Sequence, residues 1–245
     1  MNTLVITRVA ERQWHALDDD LVVGRGDASP RPDGRLFLSV DAWHDDVFAR
    51  LAGAMLAALP RPLYTVVDEA DLDLRTRWVQ AGLTTRRREW EYVMASDGGD
   101  GLLPPPGLTV LPTGTAELAP LRDLDRTVRA EIEATIGWDR MPAAVLSRPL
   151  DPTWYTVAAE PGGYVGLARL GLLPRHTRVG LIAVRSDRRR RGVARALLGH
   201  VLAATRARGV ATVCADVHEA NTAAVALFES AGARRTGSNL ELVIR

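Results

Sequence analysis

Six consecutive residues, Arg189-Arg190-Arg191-Gly192-Val193-Ala194, stand between an apolar run ending at Val184 and a stretch of helical periodicity. A turn that ends a strand and opens a helix aims unpaired backbone N–H groups at one point, and the helix dipole adds partial positive charge there. That is an anion cradle, suited to a diphosphate. Glycine at 192 and a small side chain at Ala194 let phosphates come close to the backbone. The same residues also read as a solvated arginine turn before an ordinary helix. A second constellation follows, Asn221-x-x-Ala224-x-x-Leu227-Phe228-x-x-x-Gly232. Asparagine there reads as a helix N-cap.

The elements that must position these residues follow from periodicity. Leu108 to Leu111 reads as a short strand. Ala116 to Ile136 reads as a helix, with Leu118, Leu121, Leu124, Val128 and Ile132 three and four apart. Trp154 to Ala159, Gly163 to Leu172 and Arg178 to Val184 read as an antiparallel meander. Gly192 to Arg208 is helical and stops at Gly209. Val210 to Val217 is a strand, Asn221 to Ala231 a helix, and Leu240 to Ile244 a last strand. The order predicts an α+β fold with one βαβ crossover near its end.

Composition narrows the function. The chain has 245 residues, 47% hydrophobic and 25% charged, with 31 basic and 30 acidic residues. A formal charge of +1 offers no field for nucleic acid or an anionic membrane, and aromatics are not interleaved with the arginines. All 31 basic residues are arginine, which excludes lysine Schiff bases and lysine general bases. One cysteine forms no internal disulfide; Cys214 reads as a buried small hydrophobe. Met1 to Arg8 lacks the pattern of a signal peptide. Apolar runs such as Leu51 to Leu59 fall far short of the roughly 20 residues a membrane span needs, so a cytoplasmic protein is expected. His44-Asp45-Asp46 raises the possibility of a metal, but adjacent residues on one loop seldom converge on one ion, and no metal is expected.

Arg189-x-x-Gly192-x-Ala194 resembles the Arg/Gln-x-x-Gly-x-Gly/Ala acyl-CoA loop of the GCN5-related N-acetyltransferases (GNAT). The Asn221 to Gly232 segment is similar to the family's asparagine-to-glycine segment after its fifth strand. The resemblance covers Leu108 to Arg245 and implies a mixed α/β, mostly antiparallel twisted sheet, flanked by helices, with splayed fourth and fifth strands. It implies that pantetheine pairs with Ala183, Val184 and Arg185, and that the Val184 N–H stabilises the oxyanion. The pyrophosphate would rest on the N–H groups of Arg189, Arg190, Arg191, Gly192, Val193 and Ala194, with arginine side chains as supplementary cations. Asn221 would touch the pantetheine or hold the loop. Phe228 falls where many members carry a tyrosine that protonates the leaving thiolate; phenylalanine has no proton to give. For the general base the sequence offers Glu131, with Glu133 and the Trp138-Asp139 pair nearby, and His218, with Glu219 beside it.

The expected activity is direct transfer of an acetyl or other short acyl group from acyl-CoA to a small amine or a peptide. The alternative is a catalytically weak acyl-CoA-binding module. The acceptor's identity stays open, and so does the oligomeric state, a homodimer being one option.

The chain also repeats itself. Val67-Asp-Glu-Ala-Asp71 aligns with Val217-His-Glu-Ala-Asn221, and the same offset of 150 places Ala81-Gly82 on Ala231-Gly232, Glu91-x-Val93 on Glu241-x-Val243 and Trp78 on Phe228. Two tandem copies are expected: residues 1–95, degenerate, and residues 108–245, joined by a Gly/Pro-rich linker at 96–107. Where the second copy has its arginine loop, the first has Asp41-Ala-Trp-His-Asp-Asp-Val-Phe-Ala-Arg50. Its clustered carboxylates would repel a diphosphate.

Overall fold

A computed structural model describes residues 4–31, 33–99, 101–135, 137 and 149–245. The chain forms two compact units, Met1–Arg88 with Gly237–Arg245, and Glu89–Thr236.

In the first unit, β1 (Val5–Ala10), β2 (Gln13–Asp18), β3 (Leu21–Pro30) and β4 (Leu36–Ala42) form an antiparallel meander. Helix α1 (Asp45–Ala58) crosses to β5 (Leu63–Asp68), and α2 (Leu72–Gln80) follows. α1 buries Val47, Phe48, Leu51, Ala52 and Met55 on one stripe. It lies close because β3 carries Gly24 and Gly26: a Cβ on Gly26 would overlap the Met55 sulfur. β4 and β5 are parallel and pair only at Leu36 with Leu63 and Phe37 with Tyr64. The sheet is completed by Asn239–Ile244 of β12 (Arg234–Ile244), antiparallel to β5.

The second unit contains the later residues of β6 (Thr84–Ala95), then β7 (Thr109–Leu111), α3 (Leu118–Thr135), β8 (Tyr155–Glu160), β9 (Gly163–Leu172), β10 (Thr177–Val184), α4 (Val193–Ala207), β11 (Thr212–His218) and α5 (Thr222–Ser230). The strand order is β6-β11-β10-β9-β8-β7, and only β10 and β11 are parallel. Along β11, Val213, Ala215 and Val217 turn into a core with Leu197, Val201 and Leu202 of α4 and Phe228 of α5. On the other face α3 seats Leu121, Leu124, Val128 and Ile132 against Tyr155, Val157 and Leu167.

Two features depart from the sequence expectation. Unit boundaries fall after Arg88 and Thr236 rather than within 96–107. The Gly/Pro-rich stretch is no free tether either: the Ser96 N–H donates to the Ala211 carbonyl (2.8 Å), and Leu102 is buried against Gly199 of α4, where any Cβ would collide with it. Proline and glycine keep a segment out of helix and sheet, yet leave it able to bury an apolar side chain. The last strand is also longer than Leu240 to Ile244, and its C-terminal part serves the first unit.

Candidate functional site

The site is built where two strands part. β10 pairs with β11 only at Thr177 with Val213 and Arg178 with Cys214, and the strands then diverge. On its other edge β10 stays with β9, and the Arg185 N–H donates to the Val165 carbonyl (3.0 Å). Antiparallel alternation therefore turns the backbone groups of Ala183 and Arg185 toward β9, and those of Val184 toward the gap. Of the three residues expected to meet pantetheine, Val184 alone offers its N–H and C=O there. The carbonyl is already engaged by Arg189 Nε (3.1 Å).

Beyond Val184 the chain makes a short turn, Ser186–Arg188, and enters α4. Arg190 has φ +63° and Gly192 φ +81°, while Arg191 between them is not in that region. Alternating hands of this kind gather successive N–H groups into a concavity that favours anions. Gly192 is the N-cap of α4 with no side-chain cap, so the first-turn N–H groups keep their donors for a ligand. A Cβ at Gly192 would meet nothing closer than Pro105, at 3.9 Å. Positive φ, rather than crowding by the protein, is what calls for glycine here.

The arginines are unequal. Arg188 is held by Glu160 (2.9 Å) and Asp187 (2.8 Å), and Arg185 by Asp187 (3.0 Å). Arg189 donates to Glu131 and to Val184. Arg190 and Arg191 are exposed and make no hydrogen bond or ion pair among the described residues.

Glu131 does not stand ready as a base. Its carboxylate accepts from the Ser186 N–H (2.9 and 3.0 Å), the Ser186 hydroxyl (2.8 Å) and Arg189 Nη2 (2.9 Å). Glu133 follows on α3, and Trp138 and Asp139 lie outside the described residues. His218, at the end of β11, accepts the Ala220 N–H at Nδ1 (3.0 Å). A neutral imidazole so engaged carries its proton on Nε2 and has no free lone pair for a substrate proton. Asn221 caps α5, its Oδ1 accepting the Ala224 N–H (3.1 Å), which is the capping alternative the sequence left open. Phe228 is 4% exposed and stacks on Tyr92 at 6.0 Å between centroids. The Tyr92 hydroxyl donates to Glu229 (2.9 Å); burial first, and that bond second, hold the phenol above its ordinary pKa. Position 228 thus serves the core. Burial likewise raises the thiol of Cys214.

A residue the sequence reading passed over is Asp216. With Val213, Ala215 and Val217 in the core, Cys214, Asp216 and His218 occupy the opposite face of β11, and Asp216 forms an ion pair with Arg178 of β10. The period-two alternation of Val210 to Val217 carried that signal.

In the first unit β4 and β5 also pair at only two positions, and a different loop follows β4. Arg77 of α2 reaches the Ala42 carbonyl (3.5 Å) and Asp45 (2.6 Å). Among the described residues no group of three or more His, Cys, Asp or Glu side chains could hold a metal ion, and no helix is long and apolar enough to cross a membrane.

Residues 118–233 match the model of the acetyltransferase (GNAT) family. The N-alpha-acetyltransferase RimI of Mycobacterium tuberculosis is 36% identical over 121 residues, covering 47% of this chain and 75% of that protein. The ribosomal protein bS18-alanine N-acetyltransferase of Escherichia coli K12 is 49% identical over 51 residues, 21% of this chain; the match spans only 34% of that relative's length. Among solved structures, a GCN5-related N-acetyltransferase from Sphaerobacter thermophilus superposes with a TM-score of 0.68 at 19% identity, over 97% of this chain and 82% of that one. A tandem GNAT protein from the clavulanic acid biosynthesis pathway superposes with a TM-score of 0.65 at 15% identity, over 95% of this chain and 82% of that one. At these identities the likeness is one of fold.

Proposed function

The chain belongs to the acetyltransferase (GNAT) family, and on that premise we propose that its second unit transfers an acetyl or other short acyl group from acyl-CoA to a primary amine. The observation that carries this reading is the Val184 peptide edge, turned into the gap between β10 and β11 beside a turn with left-handed residues at 190 and 192. The diphosphate would rest on the N–H groups from Arg190 to Ala194, with Arg190 and Arg191 as cations. The thioester carbonyl would then meet the Val184 N–H, which stabilises the oxyanion as the amine attacks. A C–N bond forms, the C–S bond breaks, the amine proton passes to a base, and the thiolate leaves with the sulfur electron pair. Asp216 lies on the gap-lining strand but is paired with Arg178, as Glu131 is with Arg189, so that base is water rather than either carboxylate. With no hydroxyl at Phe228, the thiolate takes its proton from water; a leaving group with a pKa of about 8.5 tolerates this.

Three further points belong to the same reading. The first acceptor class to test is a peptide α-amine, because relatives bear N-terminal and ribosomal-protein alanine acetyltransferase names. The first unit is a degenerate tandem copy: β4-α1-β5-α2 repeats the order β10-α4-β11-α5, and both parallel strand pairs touch at only two positions. A cytoplasmic location fits a CoA-dependent reaction. The test is acceptor-dependent release of CoA thiol across peptides with varied N-terminal residues and small amines. CoA binding without thiol release for any acceptor would favour the alternative, a binding module, to which the missing tyrosine at 228 points.

A further inference from the structure

We propose that Glu131 is a positioning residue that aims both the Val184 peptide and the arginine turn; this rests on the acyl-CoA reading above. Glu131 lies one position before Ile132, whose burial fixes the end of α3 on the sheet. From that anchored point its carboxylate receives three donors: the Ser186 N–H, the Ser186 hydroxyl and Arg189 Nη2, all within 2.8–3.0 Å. The Arg189 guanidinium is planar, and its Nε donates to the Val184 carbonyl (3.1 Å). One rigid fork therefore ties the α3 carboxylate to the strand edge that faces the gap. In an extended strand the N–H and C=O of one residue point the same way, so holding the Val184 carbonyl also aims its N–H. Ser186, gripped at two atoms, fixes where the turn toward Arg190 begins.

The charge is what a carboxylate adds. A glutamine could accept from the Ser186 N–H and Arg189 on its oxygen and donate to the Ser186 hydroxyl, which also accepts, but it would lose the charge that pairs with the guanidinium. Such charge-assisted bonds are among the stronger ones a half-buried site can make. Their loss would misplace two catalytic parts at once, the oxyanion donor and the phosphate cradle.

The experiment uses the full chain, with CoA as the binding probe and acetyl-CoA for turnover. Glu131→Gln should raise both the Kd for CoA and the KM for acetyl-CoA by about tenfold and lower kcat, while the pH profile of kcat keeps its shape. Arg189→Lys, which keeps the charge but loses the fork, should do the same, and the double variant should be no worse than the weaker single variant. Amide hydrogen exchange across residues 184–191, without ligand, should speed up in both. Ser186→Ala removes one donor and should produce a smaller change in the same direction, which preserves the test if Glu131→Gln folds poorly. A Glu131→Gln enzyme with unchanged CoA affinity, a large fall in kcat and a lost limb in the pH profile would overturn the proposal in favour of a general base. Strict additivity, or unchanged exchange, would also overturn it. Wild-type protein that binds no CoA while Glu131→Gln still loosens 184–191 would instead overturn the acyl-CoA reading.

Discussion

Asp71 and Asn221, 150 positions apart, cap their helices in the same way: the side chain of each accepts the N–H three residues on, Leu74 at 2.9 Å and Ala224 at 3.1 Å. Both helices end at a glycine of positive φ, Gly82 at +97° and Gly232 at +84°. The match extends to Trp78 and Phe228, each buried under its own helix. What differs is the loop after the parting strands, arginines and glycine in one unit, and in the other a mouth bridged by Arg77 to Asp45 and the Ala42 carbonyl.

CoA should therefore bind once per chain. Calorimetric titration should give a single site, weakened by Gly192→Val and untouched by Arg77→Ala. Two sites per chain would contradict the assignment.

Substitutions at Gly192 should sort by tolerance of positive φ. A β-branched residue there costs about 1–3 kcal/mol in backbone strain, whereas asparagine tolerates the left-handed region. Gly192→Val should lose stability and at least tenfold in CoA affinity, or about 1.4 kcal/mol, while Gly192→Asn keeps most of both. If folded Asn and Val variants lose CoA equally, the bulk of a Cβ facing the pyrophosphate is the cause.

Proton abstraction should depend little on either Asp216 or His218. Asp216 is paired with Arg178, and His218 Nδ1 already accepts the Ala220 N–H, so Asp216→Asn and His218→Gln should each keep kcat within a few-fold of wild type. A fall of about 10² or more in steady-state kcat for either variant, as loss of a general base gives, would assign that residue the role.

Phe228→Tyr should destabilise rather than accelerate. At 4% exposure, a hydroxyl without a partner costs about 1–3 kcal/mol. Denaturant midpoints should fall, with turnover per folded molecule unchanged. Faster turnover at unchanged stability would show the ring edge reaching the thiolate.

Acid should weaken the second unit through His200 on α4, whose burial holds its pKa below the ordinary value. A depressed folded pKa means that the unfolded chain binds the proton more readily, so this contribution is complete above about pH 6.5 and is lost as pH falls toward the folded pKa. Tm should drop between pH 7.5 and 5.5, and His200→Gln should flatten that drop.

Much of the second unit was legible in the sequence because its signals are local. Period-two and helical spacing marked the strands and helices from Thr109 to Ser230, a glycine marked the start of α4, and asparagine marked a cap. The recurrence of residue types at an offset of 150 was legible for the same reason, as a spacing. Partner choice was not. That Asn239–Ile244 completes the sheet of Met1–Arg88, while Glu89–Ala95 pairs with β11, follows from which strand edges are left open after folding. No local pattern encodes an edge. The packing of Leu102 on Gly199, the Asp216 pair with Arg178 and the grip of Glu131 on Ser186 and Arg189 belong to the same class. The residue types could be read from the chain, but hydrogen bonds and ion pairs act over a few ångströms, and only the tertiary structure brings residues 55 positions apart within that reach.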